Sequence, residues 1–132
     1  MNKPLDKNEM DFEITFYEGL LEKKPAFVEA LAALGDLYTK RGDYEKGLKI
    51  DLKLAHLKPH DPIILYNLAC SYSLLNRIDA AFETIQKAVD CGYDNFPFLE
   101  KDKDLHNLRE DNRFQQFMAS IRGKPFKGEA KA

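Results

Sequence analysis

The sequence has no tryptophan, and its 132 residues include only two cysteines and three histidines. Cys70 and Cys91 show neither C-x-x-C spacing nor the density of a disulfide framework, so they predict free thiols in a reducing compartment. Pro59 breaks the helix between His56 and His60, which argues against a metal-binding pair, and no Gly-rich phosphate loop is present. The sequence therefore predicts no catalytic site, no cofactor and no metal.

Blocks of one charge sign and long apolar runs are also missing. The 20 basic and 22 acidic residues leave a formal net charge of -2 and are scattered along the chain, which argues against nucleic-acid binding. No stretch approaches the ~18 apolar residues of a membrane span, and the first residues lack the apolar core of a signal peptide. We therefore expect a cytoplasmic protein that binds neither nucleic acid nor a membrane.

What the sequence does contain is an internal repeat with a period of 34 residues. Its equivalent positions are Leu31/Leu65, Leu34/Leu68, Gly35/Ala69, Tyr38/Tyr72, Leu48/Phe82 and Pro25/Pro59. This period and the Leu-x-x-Leu-Gly-x-x-Tyr pattern resemble the tetratricopeptide repeat family, in which each repeat is a helix–turn–helix. The resemblance implies an all-α fold, a right-handed α-solenoid of antiparallel helix pairs.

The same register divides the chain into segments. Residues 1–8 are predicted to be a flexible N-terminus, residues 9–122 a tetratricopeptide domain and residues 123–132 a disordered tail. Within the domain we predict an N-terminal helix at 9–24, a first repeat at 26–59, a second repeat at 60–93 and a degenerate third unit at 94–122. The third unit would cap the last exposed helix face, as helical repeat proteins require.

The segment from Tyr44 to Leu57 fits two patterns. Its apolar residues alternate as in a half-buried strand, yet they also form two rows of a helix that is packed on two sides. The 34-residue register favours the helix. Gly47 and Asp51 depart from the family pattern, so either the first repeat is looser than the second or Asp51 has a polar partner. Gly35, by the resemblance, lets the two helices of its repeat approach closely.

In tetratricopeptide proteins the first helix of each repeat lines a concave groove that often holds a peptide. By that resemblance, the peptide-binding residues here would be Glu29, Ala32, Asp36, Ile63, Tyr66, Asn67, Cys70 and Ser73. Tyr66 and Asn67 form the strongest pair, because an aromatic ring beside an amide suits recognition of a peptide backbone. The alternative is that Tyr66 packs against the C-terminal cap and that Asn67 braces the next helix.

A second candidate surface is formed by Phe12 and Phe16, which lie one turn apart on the first predicted helix. Outward polar residues are usual at these positions in the family. Either residues 1–8 or the loop at Phe27 cover the two rings, or the rings form an apolar edge for a partner or a second copy of the chain.

The leading prediction is a non-enzymatic scaffold or adaptor that binds a peptide segment of another protein in the concave groove. The alternative is a structural module that forms a homodimer or larger homo-oligomer through the exposed face of its N-terminal helix. An accessory subunit of an enzyme is a third class. The sequence alone does not separate it from the first.

Overall fold

The computed structural model describes residues 4–122, so residues 1–3 and the predicted disordered tail at 123–132 lie outside the described residues. The described part is all-α and contains no strand, which confirms the predicted fold class and the helical prediction for Tyr44 to Leu57. The helices are α1 (Lys7–Lys23), α2 (Val28–Arg41), α3 (Tyr44–Leu57), α4 (Pro62–Leu74), α5 (Ile78–Asp90), α6 (Phe96–Leu99), α7 (His106–Arg109) and α8 (Asn112–Arg122). A short 3-10 helix at Lys103–Leu105 precedes α7.

The chain divides into two units, one that ends at Pro59 and one that begins at His60. In unit 1, α2 packs against both α1 and α3. In unit 2, α4 packs against α5, the 3-10 helix and α7. Each unit therefore contains one helix pair, α2 with α3 or α4 with α5, whose short connection makes the two helices antiparallel.

The helix α1 begins at Lys7, within the segment that the sequence analysis assigned to a flexible N-terminus. The Asp6 carboxylate accepts a hydrogen bond from the backbone N–H of Glu9 at 2.8 Å, and the Glu9 carboxylate accepts one from the Asp6 N–H at 3.0 Å. This capping box satisfies two backbone donors that a helix start otherwise leaves unpaired. The predicted flexible N-terminus of residues 1–8 is therefore wrong at its last two residues.

The turns inside the two helix pairs have the same unusual backbone conformation. Gly42 follows α2 with φ 88°, and Asn76 follows the end of α4 with φ 59°. Side chains other than glycine rarely adopt this left-handed region, although asparagine tolerates it better than most. These two positions are equivalent in the 34-residue register, so the repeat extends from the helices into the turn.

Two glycines mark a close approach between α2 and α3. A Cβ added to Gly35 would lie 3.2 Å from both Asp51 Oδ1 and Ile50 Cγ2, and one added to Gly47 would lie 3.0 Å from Thr39 Oγ1. The Asp51 side chain is buried at this crossing. Gly47 and Asp51 therefore belong to a tight contact between the two helices and not to a loosened one.

Alanine substitutions at Gly19 and Gly35 test this close approach. At Gly19, in the interior of α1, no atom apart from the adjacent backbone of the helix lies within 4 Å of an added Cβ. Gly19→Ala is therefore expected to raise the free energy of unfolding by about 0.5–1 kcal/mol through helix propensity. Gly35→Ala is expected to lower it by about 1 kcal/mol, because Asp51 and Ile50 must move. Urea unfolding measures both, and a stabilised Gly35→Ala variant would show that the crossing has spare room.

The core of unit 1 forms between α1 and α2. Ile14 on α1 is buried in one cluster with Leu34, Leu37 and Tyr38 on α2. The Tyr38 hydroxyl donates a hydrogen bond to Glu18 Oε2 at 2.5 Å. Burial, followed by this hydrogen bond, raises the pKa of Tyr38 well above the usual range of tyrosine.

Candidate interaction surfaces

The start of α4 is fixed by two local signals. The Asp61 carboxylate accepts hydrogen bonds from the backbone N–H groups of Ile63 at 2.9 Å and Ile64 at 3.1 Å. Pro62 occupies the first helical position, where its missing N–H costs nothing. Five of the predicted peptide-binding residues then lie on this helix: Ile63, Tyr66, Asn67, Cys70 and Ser73.

Tyr66 is buried, with 5% of its surface exposed. Its ring stacks on Tyr93 with 4.4 Å between the centroids, and it lies 6.1 Å from the ring of Phe98. The Tyr66 hydroxyl donates a hydrogen bond to Asp102 Oδ2 at 2.5 Å. Burial, the neighbouring Cys70 and this hydrogen bond together raise the pKa of Tyr66 far above the usual range.

Cys70 and Ser73 also contact the segment that follows α5. The Cys70 thiol lies 3.9 Å from Asp102 Oδ2. The Ser73 hydroxyl accepts a hydrogen bond from the backbone N–H of Leu108 at 3.1 Å, and the Ser73 carbonyl accepts one from the Asn107 amide at 3.0 Å. Both side chains are buried.

The predicted open groove therefore needs a correction at three of its positions. Tyr66, Cys70 and Ser73 are covered by the segment of unit 2 that follows α5, because Asp102 and Leu108 contact these three residues. The packing of Tyr66 follows the alternative interpretation of this residue. A peptide reaches these side chains only if the covering segment moves.

The part of α4 that stays open carries Ile63 and Asn67. Ile63 is 57% exposed, and Asn67 is also exposed. Phe98 on α6 is 44% exposed and contacts the ring of Tyr66, the residue three positions after Ile63. Ile63 lies one helical turn before Tyr66 on α4, and Phe98 contacts the Tyr66 ring. We call Ile63, Asn67 and Phe98 the α4 surface.

Sequence reasoning missed Phe98 because it treated the residues after α5 only as a cap. The available signal was Asn95, whose side chain accepts a hydrogen bond from the Phe98 N–H at 3.3 Å and starts the single turn of α6. This turn directs the chain back towards α4, where Phe98 meets Tyr66.

In unit 1, the predicted peptide-binding residues Glu29, Ala32 and Asp36 are all exposed on α2. The Asp36 carboxylate forms an ion pair with Lys40 at 2.9 Å, and both side chains are more than 60% exposed. An exposed pair of this kind adds little stability. These three side chains are small or acidic, and none of them is a large apolar group.

The Phe12 and Phe16 rings on α1 are 75% and 54% exposed. The described residues therefore do not bury the two rings. Neither residues 4–8 nor Phe27 form the cover that was considered for them. The Phe27 ring instead lies beneath the Lys24 ammonium, with 5.5 Å from Nζ to the ring centroid. The apolar edge that the sequence analysis considered is thus open within residues 4–122.

Metal-binding clusters and membrane-spanning helices are absent from residues 4–122. Within this range, no group of three or more His, Cys, Asp or Glu side chains is placed to hold a metal ion. No helix of the described chain is long and apolar enough to cross a membrane. A cavity of about 160 Å³ in unit 2 is lined by Glu100, Arg109, Phe114, Gln115 and Met118. Arg109 and Gln115 donate hydrogen bonds to backbone carbonyls there, which is a structural role.

Known proteins share the repeat. Residues 63–90 match the family model for the tetratricopeptide repeat. The chain is also 31% identical, over 84 residues and 61% of its length, to a chloroplastic protein of Arabidopsis thaliana. It spans about a quarter of that relative's length, since the aligned part is 25% of it. The described residues are therefore all-α, and residues 63–90 match the tetratricopeptide repeat, a repeat that generally mediates interactions between proteins.

Proposed function

We propose that this chain is a non-enzymatic scaffold or adaptor that binds a peptide segment of a partner protein through the α4 surface. The observation that carries the proposal is the 57% exposure of Ile63 beside the 44% exposure of Phe98. Ile63 lies one turn from Tyr66, and Phe98 contacts the Tyr66 ring, so two exposed apolar side chains are associated with one buried residue. Grouped apolar side chains in solvent mark interaction sites more often than single ones. Asn67 adds an amide that can donate to and accept from a peptide backbone.

The geometry suggests how such a peptide binds. One apolar side chain of the peptide would lie between Ile63 and Phe98, above the edge of the Tyr66 ring. The contact is small, so we expect a dissociation constant on the order of 10–100 µM. In unit 1, Glu29, Ala32 and Asp36 stay proposed peptide contacts, and the negative charge of Glu29 and Asp36 favours a basic residue.

The proposal includes a cytoplasmic setting, because the sequence carries two thiols without a disulfide pattern. It includes neither nucleic acid nor a membrane as a partner, since basic and acidic residues are mixed along the chain. A partner protein that displays a short segment with one apolar anchor matches the α4 surface best.

A displayed random peptide library tests this function directly. Peptides selected on the wild-type protein are expected to share an apolar anchor and to bind Ile63→Glu at least about tenfold more weakly. Phe98→Glu is expected to have a similar effect. Fluorescence anisotropy gives the dissociation constants, and circular dichroism shows whether each variant remains folded.

Leu52→Glu is the matched control, because Leu52 on α3 is 42% exposed and lies outside the α4 surface. It is expected to leave the dissociation constant unchanged. Peptides that bind Ile63→Glu and Phe98→Glu as tightly as the wild type would refute this location. A library that yields no binder would refute peptide binding in this affinity range.

Self-association through α1 is a second candidate function. It is favoured by the adjacent Phe12 and Phe16 rings, which are 75% and 54% exposed on one helix face. Two aromatic side chains left in water on neighbouring turns are unusual on a helix that lies at a protein surface. A second copy of the chain would remove both rings from water.

A further inference from the structure

We infer that α1 pairs with α1 of a second copy in an antiparallel arrangement, an inference that rests on self-association through α1. The pairing face consists of Glu9, Phe12, Phe16, Gly19 and Lys23, which follow one another at spacings of three and four residues. All five are exposed. This alternation is the spacing that keeps one seam of a helix turned towards a partner helix.

The pairing face is complementary to itself when the second helix runs in the opposite direction. With the two-fold axis near Ile14, Phe12 of one copy meets Phe16 of the other, and this contact occurs twice. Ile14 itself is buried and faces the core of unit 1, so it leaves the axis free for the rings. Such an interface closes on itself as a dimer.

Gly19 supplies the space that this register needs. In the antiparallel pair, Glu9 of the second copy lies opposite Gly19, and apart from the adjacent backbone of α1 no atom lies within 4 Å of a Cβ added there. Glu9, whose carboxylate caps the start of its own helix, can therefore approach the backbone of α1 closely at this point. A large side chain at position 19 would keep the two helices apart.

The charges on α1 select the direction of the second helix. Asp6 and Glu9 lie at its start, whereas Lys23 lies in its last turn. An antiparallel pair places the acidic start of each helix near the basic end of the other, and it also opposes the two helix dipoles. A parallel pair would place like charges side by side.

Sedimentation velocity tests whether α1 pairs at all. The interface is small, so the wild type is expected to dimerise with a dissociation constant on the order of 100 µM. Phe12→Glu/Phe16→Glu is expected to weaken the dimer more than about tenfold, while Leu52→Glu on α3 leaves it unchanged. A wild type that remains monomeric at about 1 mM would overturn both the second candidate function and this inference.

Disulfide trapping tests the direction. In a Cys91→Ser background, a mixture of Glu9→Cys and Gly19→Cys is expected to give the mixed disulfide as the main product on a non-reducing gel. Each variant alone is expected to react poorly, because identical positions lie about 15 Å apart along the helix axis, beyond disulfide reach.

The two experiments fail in different ways. A dimer that gives homodisulfides of Glu9→Cys and Gly19→Cys and no mixed product would leave self-association standing and overturn the antiparallel inference. A dimer that gives neither product would overturn it as well. The background variant without an introduced cysteine shows what Cys70, which is buried, contributes to the reaction.

Discussion

Raising the pH above 10 is expected to unfold the protein, because three buried tyrosines resist ionisation in the folded state. Burial is the leading cause that raises the pKa of Tyr38, Tyr66 and Tyr93 above the ordinary value of 10.0. Above pH 10, the unfolded chain loses these protons while the folded chain keeps them. The folded state then binds more protons, so its stability falls as the pH rises.

The stability that these tyrosines confer is complete below pH 10 and is lost above it. Each one contributes a slope of up to about 1.4 kcal/mol per pH unit, so the three together contribute up to about 4 kcal/mol per pH unit. Urea unfolding followed by far-UV circular dichroism between about pH 8 and pH 11.5 would measure this slope.

Tyr66→Phe is the informative variant for the alkaline transition. It removes one ionisable hydroxyl, so the slope above pH 10 is expected to fall by about a third. At neutral pH the same change removes the hydrogen bond to Asp102 and is expected to cost about 1–3 kcal/mol. A variant with the wild-type slope would mean that Tyr66 ionises freely in the folded protein.

Leu108→Ala is expected to lower the free energy of unfolding by about 2–5 kcal/mol. Leu108 is 0% exposed, and its backbone N–H donates to the Ser73 hydroxyl on α4. The cavity left by the lost methyl groups lies where the segment after α5 packs on α4, so this segment should also open more often. Equilibrium unfolding in urea gives the loss of stability.

The opening can be followed through Cys70. Its thiol is 7% exposed and lies against Asp102, so a thiol reagent should modify it slowly in the wild type. In a Cys91→Ser background, Leu108→Ala is expected to increase the modification rate about tenfold for each 1.4 kcal/mol by which the opening free energy of the segment falls. Phe98→Ala, at a residue 44% exposed on α6, is the control and should cost under about 1 kcal/mol. Equal losses in the two variants would argue against Leu108 as the anchor.

The two helix pairs were predictable because both carry the same 34-residue sequence pattern. The register placed α2 with α3 and α4 with α5, and it favoured the helix over the strand in the segment that starts at Tyr44. Local capping signals were also readable, and the Asp6-x-x-Glu9 box could have been recognised as a helix start. Without this signal, the predicted start of α1 at residue 9 lies two residues too late.

Burial on α4 was not predictable from the repeat. Periodicity shows which residues share a face of a helix, but it does not show what packs on that face. Tyr66 meets Asp102 across 36 residues of sequence, in a segment whose pattern departs from the repeat. The exposure of Phe12 likewise depends on where residues 4–8 run, which no pattern within α1 specifies.

The stacked rings of Tyr66 and Tyr93 give the protein an optical reporter of its own. Because the chain has no tryptophan, its near-ultraviolet circular dichroism comes mainly from tyrosines. Two rings 4.4 Å apart and 9° from parallel, one of them hydrogen-bonded to a carboxylate, form an asymmetric chromophore pair. This signal depends on fixed side-chain packing, whereas the far-ultraviolet signal reports helix content. A loss of the first with retention of the second would reveal loosened packing around α4 without any attached dye.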